Sequence, residues 1–95
     1  MSSNLTLSLY DCATNVTLWT SSIPHKYSKH AKDAGVYIAI WRPAFIQTDT
    51  LDYPEALIPI LEHGLTLIKN EEFRGFVENY LRACRTYPTA SIKFD

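Results

Sequence analysis

The stretch that decides the fold is residues 52–88, DYPEALIPILEHGLTLIKNEEFRGFVENYLRACRTYP. Its second half has apolar side chains at three- and four-residue steps, a spacing that places them along one face of a helix. These residues are Phe73, Phe76, Val77, Tyr80, Leu81 and Cys84. Asn70 is suited to cap this helix at its start, and Pro88 marks its end.

A second apolar stripe lies earlier in the same stretch and predicts another helix. Its members are Leu57, Ile58, Leu61, Leu65 and Ile68. Asp52 and Glu55 have the spacing of a capping box. Pro59 and Gly64 disturb the pattern, because proline removes a backbone hydrogen bond and glycine lowers helix propensity. We therefore expect a helix that is bent or that begins after Asp52.

The N-terminal residues alternate in polarity, which is typical of half-buried strands. Residues 4–10 and 16–21 both alternate, and turn-forming side chains lie between them. Residues 4–21 are therefore predicted to form a β-hairpin. At the other end of the chain, the alternation of residues 90–95 predicts a short last strand.

The middle of the chain is predicted from weaker signals. Ser22 is suited to cap a helix and Pro24 to open it, with Gly35 at its end; a loop is the alternative. Residues 36–41 are apolar on both faces, which favours a central strand. Residues 45–48 would form a separate edge strand.

These elements predict an α+β fold in a single domain that spans residues 1–95. The sheet would be mostly antiparallel, with three to five strands and an N-terminal β-hairpin. The C-terminal helical pair would pack on one face of this sheet.

The charged residues are balanced in number but unevenly distributed. Nine lysines and arginines face ten acids, for a formal charge of −1, which argues against a protein that coats nucleic acid. The basic residues Lys26, Lys29, Lys32 and Arg42 lie within residues 25–42, whereas acids dominate residues 49–72. We therefore expect one basic and one acidic region.

His25 and His30 are candidates for the acid and base of a small ribonuclease, with lysines beside them for phosphate. The alternative, which we favour, is a solvated basic segment with two exposed histidines. The sequence contains no P-loop, dinucleotide fingerprint or Gly-x-Ser-x-Gly motif, so an enzyme is not favoured. Short Cys-x-x-Cys and His-x-x-x-His units are also missing, and we expect no metal and no cofactor.

The two cysteines differ in their predicted surroundings. Cys84 lies on the apolar helical stripe and is expected to be a buried core residue, whereas Cys12 lies in a turn. The N-terminus lacks the pattern of a secretory signal, and no apolar run reaches membrane-spanning length. We therefore expect a cytoplasmic protein with reduced thiols and no membrane partner.

Aromatic side chains on the predicted strands supply the main functional hypothesis. Tyr10, Trp19, Tyr37 and Trp41 are out of phase with the aliphatic residues of their strands. We expect them on the sheet face that the helices leave uncovered, where aromatic residues suit a protein hot spot; the alternative is that connecting segments or a second copy of the chain cover them. The predicted partner-binding residues are Tyr10, Trp19, Lys26, Lys29, Lys32, Tyr37, Trp41 and Arg42.

The leading hypothesis is a non-enzymatic module that binds another protein or protein complex. A small inhibitor fits this description, such as a phage-encoded inhibitor of host defence or an immunity protein. One alternative is a nucleic-acid-binding protein that uses the basic segment and stacked aromatics. The others are the ribonuclease that uses His25 and His30, and a homodimer in which the second copy covers the aromatic face.

Overall fold

The structure is a computed structural model, and it describes residues 4–41 and 53–94. Three strands are present in these ranges, β1 (Asn4–Asp11), β2 (Val16–Pro24) and β3 (Ser91–Phe94). The helices are α1 (Ser28–Ala34), α2 (Tyr37–Ile40), α3 (Ile58–Leu65) and α4 (Glu71–Thr86). Short 3-10 turns precede α1 and α3, at His25–Tyr27 and Pro54–Leu57. The predictions for Arg42, residues 45–48 and the Asp52 cap lie outside the described residues.

The three strands form one antiparallel sheet in the order β2-β1-β3. Leu5, Leu7 and Leu9 of the central strand are buried, and they join the helices in a single core cluster. The α+β fold is therefore confirmed, as are the N-terminal hairpin and the short last strand.

A β-bulge divides the hairpin and places Leu18 on the same face as Trp19. On one side of the bulge Leu9 lies opposite Trp19, and on the side nearer the hairpin turn Tyr10 lies opposite Thr17. Leu18 is therefore the extra residue, and it packs beside Trp19 against the core instead of alternating with it. Trp19 lies on the face that the helices cover because it is opposite the buried Leu9.

The C-terminal helical pair forms as predicted. Every member of the α4 stripe, from Phe73 to Cys84, is buried, and Asn70 Oδ1 accepts a hydrogen bond from the backbone N–H of Phe73 (2.9 Å). Pro59 lies in the first turn of α3, where proline is tolerated, so this helix begins after Asp52 and the expected late start is confirmed. In the described ranges no helix has the length and apolar composition needed to cross a membrane.

The helix predicted to follow β2 exists, but it begins later than Ser22. Ser22 and Pro24 belong to β2, and the Ser22 hydroxyl lies 3.2 Å from that of Thr6 on β1. The α-helix begins at Ser28 and ends at Gly35, whose φ of 77° is left-handed. The predicted end is thus confirmed, and glycine suits it because it lacks a Cβ.

The predicted central strand at residues 36–41 is wrong, because this segment is helical. The backbone N–H of Ile40 donates to the carbonyl of Val36 (3.2 Å), and that of Trp41 to the carbonyl of Tyr37 (2.8 Å). An uninterrupted apolar run of this length fits a buried helix as well as a buried strand, so its composition does not distinguish them. The buried positions are Val36, Ala39, Ile40 and Trp41.

A close approach between α3 and the junction of α1 and α2 explains Gly64. A Cβ on Gly64 would lie 2.1 Å from Cγ1 of Val36 and 3.3 Å from the carbonyl oxygen of Ala34. No side chain fits in that space without displacing its neighbours. The glycine that disturbs the helical pattern therefore allows this helix to pack closely against residues 34–36.

A basic aromatic surface as the candidate functional site

A connected series of aromatic rings runs from α2 to α1 through α4. Tyr37 stacks on Trp41 with the ring centroids 5.6 Å apart and the planes 6° apart. Trp41 then contacts Phe73 of α4 at 6.5 Å, and Phe73 stacks on Tyr27 at 5.9 Å. His30 lies against both Tyr27 and Phe73. The fully buried ring of Phe73 thus anchors the residues that precede and follow α1 to the core.

Lysine ammonium groups lie over two of these rings. Lys26 Nζ is 5.3 Å from the ring centroid of Tyr27, and Lys32 Nζ is 4.8 Å from that of Tyr37. Both distances are typical of cation–π interactions. The surface formed by His25, Lys26, Lys29, His30, Lys32 and Tyr37 is called the basic aromatic surface below. All but Tyr37, which is half-buried, are exposed.

His25 accepts a hydrogen bond from Trp41. The indole N–H of Trp41 lies 3.0 Å from Nδ1 of His25. Because an indole nitrogen can only donate, Nδ1 of His25 is unprotonated and the imidazole proton is on Nε2. A buried tryptophan normally finds such a partner, so the contact explains His25 as a structural acceptor.

Acidic groups border the basic aromatic surface on two sides. Tyr27 forms a side-chain hydrogen bond with Glu72 of α4, which raises the pKa of Tyr27; burial of the phenol and the charge of Glu72 act in the same direction. Asp33 is exposed on α1, between Lys32 and the end of the helix. The surface nevertheless carries three lysines, and its net charge is positive.

The structure brings together only some of the predicted partner-binding residues. Lys26, Lys29, Lys32 and Tyr37 belong to the basic aromatic surface. Trp41 adjoins it, but only 8% of its surface is exposed, and it lies on the helical segment instead of on a strand. The predicted placement of Tyr37 and Trp41 on an uncovered sheet face is therefore wrong.

The predicted placement of Trp19 is also wrong. Its indole stacks on Tyr80 of α4, with the centroids 5.5 Å apart and the planes 8° apart. The sequence pattern predicted the other face because regular alternation puts Leu18 and Trp19 on opposite sides. In the structure Trp19 lies opposite the buried Leu9, and the bulge turns Leu18 toward the core as well.

The uncovered face of the sheet is polar. The hydroxyls of Ser8 and Thr20 lie 3.0 Å apart on neighbouring strands. Tyr10 does lie on this face, as predicted, where it lines a shallow cavity of about 480 Å³. The other residues of that cavity are Ser8, Asn15, Thr17 and Lys93. One tyrosine among hydroxyl groups does not make the aromatic platform that was predicted.

Two residues of the site were not identified from the sequence, Phe73 and Glu72. Phe73 was predicted only as a member of the apolar stripe, and an acid at the start of a helix, such as Glu72, is already explained by the helix dipole. Only their position at the start of α4, against Tyr27, shows that they also support the basic aromatic surface.

In the described part of the chain, the thiols and histidines are not arranged as a catalytic centre. Burial raises the pKa of Cys84 to about 12, so this thiol stays protonated and is a poor nucleophile. Cys12 is exposed, and both cysteines are free. No group of three or more His, Cys, Asp or Glu residues at metal-binding spacing occurs among the described residues.

Comparison with protein-family models, with curated proteins and with solved structures gave no significant match.

Proposed function

We propose that this protein is a non-enzymatic module that binds another protein, and that the basic aromatic surface is its contact site. The observation that supports this proposal is the placement of Lys26 and Lys32 over tyrosine rings, 5.3 and 4.8 Å from the ring centroids. A lysine held in this way loses less conformational freedom when it binds. Such a surface suits a partner that presents carboxylates.

A protein partner is favoured over nucleic acid because the aromatic rings are already engaged. Trp19 is stacked on Tyr80, and Trp41 is buried between Tyr37 and Phe73. Single-stranded nucleic acid binds by stacking bases on accessible rings, and this surface offers few. The formal charge of −1 also supplies little long-range attraction to phosphates.

Inhibition is the form of protein binding that we propose. A small domain inhibits a larger complex by occupying a surface that the complex needs. Phage-encoded inhibitors of host defence and immunity proteins work in this general way. The free thiols of Cys12 and Cys84 favour a reducing compartment, which supports a cytoplasmic location.

The test is affinity capture from the native source with two double variants of equal charge change. Lys29→Glu/Lys32→Glu reverses the charge of the basic aromatic surface, whereas Arg82→Glu/Lys93→Glu reverses two exposed charges elsewhere. We expect a specific co-purifying protein to be lost with the first variant and kept with the second. Equal capture by both variants would show that the partner uses another surface.

A nucleic-acid control separates the two classes of partner. Fluorescence anisotropy with labelled single-stranded RNA and DNA should show no binding at low salt. Binding that weakens steeply as salt is added would instead support the nucleic-acid alternative. RNA cleavage that is lost in His25→Ala and His30→Ala would support the ribonuclease alternative.

A further inference from the structure

The strand β2 has an unpaired edge among the described residues. It is the outer strand in the order β2-β1-β3, and within residues 4–41 and 53–94 it pairs only with β1. An outer strand exposes a row of backbone N–H and C=O groups that can pair with another strand. β2 is nine residues long, and residues 19–24 follow the bulge with no further shift in register.

Apart from the bulge at Leu18, β2 lacks the features that usually protect such an edge. Residues 12–24 contain no Asp, Glu, Lys or Arg, and the only proline is Pro24, at the end of the strand. Natural sheets block open edges with charges, prolines, very short strands or β-bulges, and the bulge at Leu18 leaves residues 19–24 as the unprotected part of β2. Val16 at the start of β2 is moreover 52% exposed.

The opposite edge of the same sheet is protected. β3 has four residues, and one of them is the exposed Lys93. The two edges therefore differ in length and charge, although they flank the same central strand. This contrast indicates that the neutral edge of β2 is kept for pairing.

We infer that β2 pairs with β2 of a second copy of this chain, in antiparallel orientation, to form a continuous six-stranded sheet. A neutral strand can lie opposite itself, whereas a charged one would place like charges face to face. Because β3 is protected in both copies, the assembly closes at two chains. This inference is independent of the proposed function, which concerns a different surface.

Hydroxyl side chains near the pairing edge suit this arrangement. Thr17, Thr20 and Ser22 are exposed on the uncovered face of β2. Around a two-fold axis they would meet the same residues of the second copy. Cross-strand pairs of threonine and serine are favourable, and their hydroxyls remain accessible to water.

The test is the mass of the full chain in solution, measured by sedimentation equilibrium across a wide range of concentration. Ser22→Lys adds a charge to the edge strand β2, and Ser91→Lys adds the same charge to the edge strand β3. We expect a dimer whose dissociation constant rises about tenfold or more in Ser22→Lys, since two lysines enter each interface. In Ser91→Lys it should be unchanged, with circular dichroism confirming that both variants are folded.

Two results would overturn the inference. One is a wild-type chain that stays monomeric at every concentration; the other is a dimer that Ser22→Lys leaves as stable as wild type. Hydrogen exchange locates the interface independently. Amides of β2 should exchange more slowly as the concentration increases, whereas amides of β3 should not change. Slower exchange in β3 with no change in β2 would place the interface on β3 and contradict the inference.

Discussion

The indole N–H of Trp41 donates to Nδ1 of His25 across 3.0 Å, and this bond joins the end of α2 to the turn that follows β2. Sixteen residues separate the two partners along the chain. The bond fixes the neutral tautomer of His25 and gives the buried indole its acceptor. His25 thereby has a structural role at the rim of the basic aromatic surface.

This bond predicts a graded effect of substitutions at Trp41. Trp41→Phe keeps most of the packing and removes the donor, so it should lower the free energy of unfolding by about 0.5–1.5 kcal/mol. Trp41→Ala also removes the buried ring and should cost about 3–5 kcal/mol. Urea denaturation measures both effects. When Trp41→Phe is already present, His25→Ala should lower the free energy of unfolding little further. If the effects of the two single substitutions add fully in the double variant, the bond does not contribute to stability.

Two helical glycines should respond to alanine in opposite directions. In Gly64→Ala the new Cβ meets Val36, and overpacking should cost about 1–3 kcal/mol despite better helix propensity. In Gly75→Ala the Cβ meets nothing within 4 Å, so the helix should gain roughly 0.5–1 kcal/mol. Thermal melting distinguishes the two, and stabilisation by both substitutions would contradict the close packing at residue 64.

The buried stripe of α4 predicts a large penalty at Phe76. Phe76→Ala should lower the free energy of unfolding by about 3–5 kcal/mol, since the side chain is only 7% exposed. Asn79, exposed on the same helix, is the matched control, and Asn79→Ala should change stability by less than about 0.5 kcal/mol. If the melting curve of Phe76→Ala coincides with that of Asn79→Ala, Phe76 does not contribute to the core.

Stability should fall at alkaline pH. Burial raises the pKa of Cys84 from 9.0 to about 12 in the folded chain, so above pH 9 the unfolded chain releases a proton that the folded chain keeps. The thiol's contribution to the free energy of unfolding is therefore complete below pH 9. It is lost as the pH rises toward 12, by at most about 1.4 kcal/mol for each pH unit. The pKa of Tyr80 is also raised by burial, which acts with the same sign above pH 10.

Urea denaturation between pH 8.5 and 10 isolates the thiol, because Tyr80 contributes little in that range. Cys84→Ala should be less stable than wild type at pH 8.5, since it loses buried volume, but its stability should decline less up to pH 10. If the free energy of unfolding falls equally with pH in wild type and in Cys84→Ala, the burial of the thiol is contradicted. A thiol reagent provides a second check, because it should label Cys12 alone before unfolding.

The sequence predicted the elements whose pattern is long or clearly bounded. The α4 stripe extends over several turns between Asn70 and Pro88, and Gly35 ends α1 because its position needs a left-handed backbone. Such signals depend on local geometry alone. The hairpin at residues 4–21 and the last strand were predicted for the same reason.

The wrong predictions depended on contacts that no local pattern contains. Residues 36–41 form a helix that packs where Gly64 lets α3 approach. Trp19 packs against Tyr80 because it lies opposite the buried Leu9. Both errors moved aromatic rings onto a sheet face that is in fact polar. The basic segment was predicted to be solvated, and Lys26, Lys29 and Lys32 are exposed in the described part of the chain.

The bulge at Leu18 also has a consequence for changes in chain length. Removing Leu18 would restore a regular ladder with Trp19 still opposite Leu9 and Thr17 still opposite Tyr10, so both faces of the hairpin would be preserved. Removing Thr20 would instead exchange the inward and outward residues on one side of the deletion. The hairpin can therefore be shortened at one position, whereas the same change two residues later would turn its core face toward water.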